Sequence, residues 1–357
     1  MHDLALYRKY RPTIFKEVIG QDHIVDVLES SVETNKVSHA YLFVGSRGIG
    51  KTSVARIFAK EIGVSNNDLY EIDAASNRGI EDIRTLRDGA RVLPFDSKYK
   101  VYIIDEVHML SKDAWGALLK TLEEPPKHVI FILATTEVHK VPETIISRCQ
   151  VFTFRKASNI ISKNMVLAVA KKEGFELEGS GAELIAILGD GSFRDALGTL
   201  QKVLNFYSRG EGKSSKDKQI GREDVEKITG APKTILINNF ISAIALKNLE
   251  EGIVTVKEAA ILNLDMKLYS KLIIEKFRMA VILKYAPKLE KEMAGNLSEE
   301  NLAFLKDLIK KDKDGMLRSS TLSVLLEAYS DIDRAFISEL PLELALIEIL
   351  GQDNKVV

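Results

Sequence analysis

The sequence predicts an α/β domain built on a parallel sheet, followed by a region made of helices. From residue 21 to 154, helical periodicity alternates with short apolar runs, a pattern typical of a parallel sheet covered by helices. After residue 158 the strand-like runs disappear and helical periodicity takes over. A chain of 357 residues with 45% apolar side chains can divide this pattern among two or three domains.

Five short apolar runs are predicted to form the strands of the sheet. Each has the length and the continuous apolar character of a strand that is buried on both faces. Apolar residues at helical spacing predict the intervening helices, with faces at Ile24–Val32, Val54–Ile62 and Ile80–Ala90. The predicted strands are Ala40–Val44, Leu69–Ile72, Val101–Ile104, Val129–Ala134 and Val151–Phe154.

The remaining chain divides at a polar segment. Residues 208–218 are rich in Gly, Ser and Lys and are predicted to form a solvated linker. We therefore expect an α/β domain at 1–157, a small helical lid at 158–218 and an all-helical domain at 219–357. The helices predicted in the last domain are Thr234–Leu246, Leu249–Ala260, Leu268–Tyr285, Asn301–Lys310, Thr321–Phe336 and Leu340–Leu350.

Composition excludes several classes of function. With 50 basic and 51 acidic residues, the chain is not a polycation that coats nucleic acid, so any contact with DNA must be local. The sole cysteine, Cys149, excludes an intramolecular disulfide and a metal site built from several cysteines. The N-terminus has no apolar signal core, and no run approaches the roughly 18 apolar residues of a membrane span. We expect a cytoplasmic protein without membrane contact.

A phosphate-binding loop follows the first predicted strand. Residues Gly45-Ser46-Arg47-Gly48-Ile49-Gly50-Lys51-Thr52 match G-x-x-x-x-G-K-[ST] between a predicted strand and a predicted helix. The glycines let backbone N–H groups surround phosphate oxygens, and the helix N-terminus adds its dipole. Lys51 supplies a positive charge to the β- and γ-phosphates, and the Thr52 hydroxyl can bind Mg²⁺.

Two adjacent acids follow the strand at 101–104. Asp105 and Glu106 stand where the carboxyl ends of parallel strands bind ligands in doubly wound folds. The apolar strand and these two acids form a Walker B signature, in which Asp105 holds Mg²⁺ and Glu106 polarises the attacking water. An apolar strand followed by two acids is common by itself, and the phosphate loop makes the interpretation specific. Hydrolysis of a nucleotide, beyond its binding, is therefore predicted.

At this point the sequence resembles the gamma/tau subunits of bacterial sliding-clamp loaders. The resemblance is most specific at Asp105–Ser111 and Leu119–Pro126, and it weakens in the C-terminal third. The other segments that carry it are Tyr7–Pro12, Val18–Gln21, His39–Phe43, Glu71–Ser76, Leu133–Glu137, Ser147–Cys149, Gly191–Leu197 and Glu339–Leu350.

The resemblance implies an AAA+ ATPase domain with helices on both faces of its sheet, a helical lid and a helical collar. It implies ATP and Mg²⁺ as cofactors, and a motor subunit that loads the beta clamp onto primed DNA for the DNA polymerase III holoenzyme. Its implied partners are delta and delta-prime subunits, further copies of this chain in a pentameric ring, the beta clamp and primed template DNA. No polymerase site is visible in the sequence.

The resemblance also assigns roles to single residues. Thr136 is implied as the sensor 1 residue, Arg148 as an arginine finger that reaches a neighbouring subunit's nucleotide, and Arg194 as the sensor 2 residue in the lid. From the residues alone, a surface arginine is the favoured interpretation of Arg148, and a solvated helix arginine is the alternative for Arg194. The implied nucleotide-binding set also includes Tyr10, Arg11, Pro12, Val18, Ile19, the loop residues 45–52 and Ser53.

The sequence departs from the family pattern in two respects. Family members commonly carry four cysteines before the segment at Glu71, whereas residues 59–70 contain none, so we predict that zinc is absent. The chain does not extend past the collar-like region, which suggests the short gamma form without the binding functions of a tau tail. Arg78 and Arg84 are candidate contacts to DNA phosphates, with ordinary surface charges as the alternative.

Several alternatives accompany this interpretation. A replication factor C small subunit or a Holliday-junction motor shares the fold, but the segments at 105–111 and 119–126 argue against both. A non-hydrolysing structural or regulatory clamp-loader-like subunit is the principal alternative, and the intact phosphate loop and Glu106 argue against it. A stand-alone nucleotide-binding regulator is a third. We expect structural roles for His39, His108, Trp115 and Cys149, because no set of reactive partners accompanies them in the sequence.

Overall fold

The computed structural model describes residues 4–208, 219–290 and 299–351. These residues form two compact units. The first comprises the chain up to Val169 together with Ala186–Gln201, and the second comprises Ala170–Ile185 and the chain from Lys202 onward. The division into domains at 157/158 and 218/219 stays a prediction, and residues 209–218 of the predicted linker lie outside the described residues.

A five-stranded parallel sheet organises the first unit. Its spatial order is β2-β3-β4-β1-β5, so the strand that precedes the phosphate loop lies between two others. This confirms the predicted five-stranded sheet. The strands are β1 (Ala40–Val44), β2 (Leu69–Asp73), β3 (Lys100–Asp105), β4 (Val129–Thr135) and β5 (Gln150–Thr153).

Helices cover both faces of this sheet. On one face, Ile83 of α4 and Leu118 of α5 pack against β3 and β4. On the other face, Leu28 of α2 and Phe58 of α3 pack against β1 and β3. The helices of this part of the chain are α1 (Leu6–Lys9), α2 (Asp22–Glu33), α3 (Lys51–Glu61), α4 (Ile80–Ala90), α5 (Lys112–Glu123), α6 (Glu143–Ile146) and α7 (Asn159–Lys172).

The rest of the chain is mostly helical. Buried aromatic residues form part of the core of the second unit, where Tyr269 donates its hydroxyl hydrogen to the Leu236 carbonyl at 3.2 Å. The helices are α8 (Gly179–Leu188), α9 (Phe193–Ser208), α10 (Arg222–Thr229), α11 (Thr234–Ala245), α12 (Leu249–Ile261), α13 (Met266–Tyr285), α14 (Glu299–Lys311), α15 (Ser319–Asp331) and α16 (Leu340–Leu350). Among the described helices, none is both long enough and apolar enough to cross a membrane.

The expectation of helices alone after residue 158 was wrong in one place. Two short strands, β6 (Glu176–Leu177) and β7 (Gln219–Ile220), pair in parallel in the second unit. The Glu178 N–H continues the pairing by donating to the Ile220 carbonyl at 2.9 Å. Strands of two residues are too short to show an alternating pattern, so the sequence contains no signal for them.

A buried carboxylate fastens the α3–β2 connection to the loop between α4 and β3. Asp68 is fully buried and accepts backbone N–H groups from Phe95 at 2.6 Å, Asp96 at 3.0 Å and Ser97 at 2.9 Å. Burial alone would raise the pKa of Asp68, but these donors outweigh it and hold the pKa well below its usual range. The buried Asp68 carboxylate therefore ties these two loops together.

We expect Asp68→Asn to lower the free energy of unfolding of the first unit by about 1.5–3 kcal/mol at pH 7, the range for hydrogen bonds to a charged group. Because the folded-state pKa is depressed, this stabilisation is present above the unfolded-state pKa of about 3.9 and is lost as the pH falls further. The measurement is urea unfolding followed by fluorescence of Trp115, the sole tryptophan, at pH 7 and below pH 4.

The matched control for this substitution is Asp88→Asn. Asp88 is an exposed acid on α4 that pairs with Arg87 at 2.9 Å, a contact expected to contribute under 1 kcal/mol. Equal losses in the two variants, or a loss at Asp68 that persists unchanged in acid, would contradict the role assigned to the buried carboxylate.

Candidate functional site

The phosphate loop lies between β1 and α3, as the motif predicts. Its backbone adopts left-handed conformations at Gly48 (φ 75°) and Gly50 (φ 107°) and a further positive φ at Gly45 (149°). Residues with a Cβ atom rarely adopt these conformations, so the spacing of the glycines is a steric requirement of the turn. Within the loop, the Ile49 side chain is buried and the Arg47 side chain is exposed.

Lys51 begins α3 and turns back into the loop. Its ammonium group donates to the carbonyls of Gly45 at 2.6 Å and Ser46 at 2.9 Å, and the residue is buried. The pKa of Lys51 is lowered, because burial outweighs the opposite effect of the nearby Glu106 and Asp105 carboxylates. A buried cation held by carbonyl groups at a helix N-terminus is well suited to bind an anion.

The loop and the first predicted acid are in direct contact. The Thr52 hydroxyl donates to Asp105 Oδ2 at 2.7 Å, although the two residues are 53 positions apart in the sequence. Asp105 is the last residue of β3, so its side chain reaches α3 from the carboxyl edge of the sheet. The hydroxyl and carboxylate oxygens that Mg²⁺ prefers therefore lie side by side.

Glu106 and Thr136 form a second pair at the same edge. The Thr136 hydroxyl donates to Glu106 Oε2 at 3.1 Å. Glu106 adopts a left-handed backbone (φ 48°), which costs an ordinary residue about 1–3 kcal/mol. The structure thus brings the predicted catalytic acid and the predicted sensor 1 residue together, with the acid in a strained backbone conformation.

The start of α9 contacts the phosphate loop. The Arg194 N–H donates to the Gly48 carbonyl at 3.4 Å, and a Cβ atom at Gly48 would lie only 2.1 Å from Ser192 Oγ. Ser192 Oγ is itself engaged, because it accepts the Asp195 N–H at 3.2 Å. The Arg194 guanidinium lies 5.8 Å from the centre of the Tyr7 ring. The predicted sensor 2 residue therefore adjoins the loop.

The N-terminal segment also reaches the loop helix. Arg11 Nε donates to Ser53 Oγ at 2.9 Å, and burial is the main factor that lowers the pKa of Arg11. Val18 packs against the core, and Ile19 is 46% exposed. The contributions of Tyr10, Pro12, Val18 and Ile19 to nucleotide binding stay predictions.

The structure places Arg148 in a different environment. It lies between α6 and β5, where its guanidinium donates to the Thr144 carbonyl at 2.7 Å and to Glu123 at 2.8 Å. Both partners of the Arg148 side chain belong to the same chain. The role of Arg148 as a finger in trans therefore stays a prediction, and it requires exchange of the Glu123 partner.

The DNA-contact candidates are exposed. Arg84 pairs with Glu81 on α4 at 2.6 Å, and the Arg78 carbonyl accepts the Ser111 N–H at 3.1 Å. Both side chains are accessible to a ligand, and their contact with DNA stays a prediction. Cys149 is half-buried, and burial raises the pKa of its thiol to about 12, which makes it a poor nucleophile.

Sequence reasoning missed one group of polar side chains at this edge. His108 was assigned a structural role, but it approaches Glu106, Thr135 and Glu137. No signal in the sequence joins these residues, because the group forms only when the ends of β3 and β4 become neighbours.

The donor set suits a nucleoside triphosphate with Mg²⁺. Lys51 and the loop N–H groups offer positive charge to phosphates, and Thr52 with Asp105 offers oxygens to a cation that keeps several of its waters. The clash that a Cβ atom at Gly48 would make with Ser192 shows a separate requirement for this glycine, the close approach of the start of α9. Among the described residues, no cluster of three or more His, Cys, Asp or Glu is arranged to hold a metal ion. The absence of zinc stays a prediction.

Curated relatives are similar over much of this chain. The DNA polymerase III subunit tau of Bacillus subtilis is 42% identical over 80% of this chain and 53% of its own length. The gamma/tau subunit of Mycoplasma genitalium is 34% identical over 97% of this chain and 61% of its own length. The gamma subunit of Buchnera aphidicola from Acyrthosiphon pisum is 40% identical over 58% of this chain and 63% of its own length. The chain spans 53–63% of the length of these relatives.

A family model and a solved structure are also similar to parts of this chain. A model described as the delta subunit of DNA polymerase III matches residues 20–78 and 64–158. The RuvB Holliday junction branch migration motor of Thermotoga maritima has the same fold with a TM-score of 0.52 and 22% identity, over 72% of this chain and 86% of its own. The fold and the site define an AAA+ P-loop protein. Within that class, the chain belongs to the DNA polymerase III gamma/tau family.

Proposed function

We propose that this chain is an ATP-hydrolysing motor subunit of a sliding-clamp loader. The observation that carries the proposal is the convergence, at one edge of the sheet, of a complete phosphate loop, the Thr52–Asp105 pair and the Glu106–Thr136 pair. A protein that only bound a nucleotide would need the first two features. Hydrolysis also needs a general base, and Glu106, whose carboxylate accepts the Thr136 hydroxyl, is placed to be that base.

Each residue has a defined task in this proposal. Lys51 binds the β- and γ-phosphates, and Thr52 and Asp105 hold Mg²⁺, which neutralises charge on the phosphates when bound. Glu106 accepts a hydrogen bond from the attacking water and withdraws its proton, while Thr136 fixes the orientation of the carboxylate. Arg194 links the phosphate loop to the start of α9, so that the occupancy of the loop can influence the lid.

The proposed partners follow from the family. Delta and delta-prime subunits and further copies of this chain form the ring, with the helical domain at 219–357 as its collar. Arg148 completes the site of a neighbouring subunit. The ring opens the beta clamp and holds primed template DNA, with Arg78 and Arg84 as candidate phosphate contacts. Nucleotide occupancy acts as the conformational switch between gripping and release.

The experiment is a steady-state ATPase assay with the purified chain alone, then with delta and delta-prime, and finally with beta clamp and primed DNA added. The proposal predicts that clamp and DNA together stimulate hydrolysis only when the ring is assembled. Binding of ATP without hydrolysis in every mixture would favour the non-hydrolysing or regulatory subunit instead. Hydrolysis that is indifferent to clamp and DNA would leave only a general AAA+ ATPase.

A further inference from the structure

The carboxyl ends of β3 and β4 carry a buried histidine with three polar neighbours. His108 Nδ1 lies 3.0 Å from Thr135 Oγ1 and 3.5 Å from Glu106 Oε2, and His108 Nε2 lies 3.1 Å from Glu137 Oε2. The His108 side chain is only 7% exposed. We call these four residues the histidine cluster. The cluster includes Glu106, the proposed catalytic acid.

The chemistry of the neighbours determines the hydrogen-bond directions. A carboxylate can only accept, so Nε2 carries the hydrogen and donates it to Glu137. In the neutral ring Nδ1 then accepts, which allows the Thr135 hydroxyl to donate to it. The Thr135 oxygen in turn accepts the Glu137 N–H at 3.0 Å. A hydrogen bond from Lys140 lowers the pKa of Glu137 and so favours its acceptor form.

These bonds enclose Thr136 from both sides. Thr135 precedes it and Glu137 follows it, and each is held by the same imidazole ring. Thr136 has no such bond to His108 itself, but it donates to Glu106 at 3.1 Å. Small movements of the turn at 135–137 would therefore change the position of the hydroxyl that orients Glu106. A turn at the end of a strand needs such support, because β4 stops at Thr135.

We propose that His108 is a positioning residue for hydrolysis, which holds the 135–137 turn so that Thr136 and Glu106 are correctly aligned with the attacking water. The inference rests on the proposed ATPase function and deepens it. His108 acts through its neighbours and makes no contact with phosphate in this scheme. Its loss should therefore reduce the chemical step and spare nucleotide binding.

The first test uses His108→Phe, which keeps a flat ring in the buried site and removes both hydrogen bonds. In the assembled complex we expect kcat to fall by about one to two orders of magnitude, as misplacement of a catalytic group does, with KM and the Kd for nucleotide unchanged. His108→Gln, whose amide N–H can still reach Glu137, should recover part of the loss. The control is His128→Phe, because His128 contacts the Ala90 carbonyl at 3.1 Å at the opposite edge of the sheet.

A second pair of variants does not disturb the buried ring. Glu137→Ala removes the acceptor of Nε2 from a partly exposed position and should reproduce much of the loss in kcat. Lys140→Ala removes only the external partner of Glu137 and should have little effect. Loss of kcat no greater than in the His128 control, or loss of nucleotide affinity in parallel with kcat, would overturn the proposal.

The assay also separates this inference from the proposed function. Failure of clamp and DNA to stimulate the unmodified complex would contradict the clamp-loader function, whatever the variants do. The role of His108 is read separately from the basal hydrolysis of the chain alone, as the ratio of kcat in His108→Phe to kcat in His128→Phe. A ratio near one would overturn the positioning role even if stimulation by clamp and DNA is intact.

Discussion

Replacement of Glu106 by Gln should lower kcat for ATP hydrolysis by about two to four orders of magnitude, the range for loss of a general base. Gln has the same shape and still accepts the Thr136 hydroxyl, but it cannot withdraw a proton from water. Affinity for ATP should be equal or slightly higher, because the Glu106 carboxylate, which lies close enough to Lys51 to act on its pKa, carries a negative charge that repels the phosphates, and Gln has no such charge. The measurement is single-turnover hydrolysis together with titration of a fluorescent ATP analogue.

The control for the Glu106 variant is Glu81→Gln. Glu81 is an exposed acid on α4 whose pairing with Arg84 leaves it outside the site. The Glu81→Gln variant should hydrolyse ATP at the rate of the unmodified chain. Turnover by Glu106→Gln within a few fold of the unmodified chain would exclude Glu106 as the base and direct attention to another group at the edge of the sheet.

Replacement of Arg148 by Ala should lower hydrolysis in the assembled ring by about a thousandfold, the smaller end of the range for arginine fingers. In the isolated chain the same change should have little effect, because Arg148 there contacts Glu123 and the Thr144 carbonyl. Exchange of partners costs little, since a partly exposed ion pair contributes only about 0–1 kcal/mol. The measurement is kcat of the complete complex and of the chain alone.

Two controls make the Arg148 result specific. Arg87→Ala removes an arginine of similar exposure, 31% against 35%, that also pairs with one acid. Glu123→Gln weakens the internal partner of Arg148 and should leave hydrolysis in the ring intact or faster. Equal losses in the ring and in the isolated chain would show that Arg148 acts within its own subunit.

The three central strands β1, β3 and β4 were predictable because they lie buried between layers of helices, whereas the edge strands β2 and β5 are partly exposed. Four of the five β1 residues are fully buried and Val44 is 9% exposed, which requires a continuous apolar run and explains why the predicted and observed bounds of β1 agree. The pairing of β6 with β7 depends on two residues from each strand that are 42 positions apart or more. Neither periodicity nor composition contains that information, so the prediction missed it.

The site was predictable where the chemistry is local. The phosphate loop and Asp105–Glu106 are contiguous segments whose spacing is set by the ligand. The histidine cluster was missed because its members come from two strands, and a single histidine after a strand is usually structural. Asp68 was missed for a similar reason. Its three donors belong to a loop 27–29 residues away that no local pattern associates with it.

The order of the strands has a consequence for how such a chain can change over time. Every proposed catalytic group in the sheet follows the carboxyl end of β1, β3 or β4, whereas the α3–β2 connection at 62–68 enters the sheet from the amino edge. Insertions or deletions in that connection alter the far side of the domain, and the register of the three central strands is maintained by their own backbone pairing. A change of length at 62–67, ahead of the buried Asp68, would therefore lie at the opposite edge of the sheet from the proposed catalytic groups.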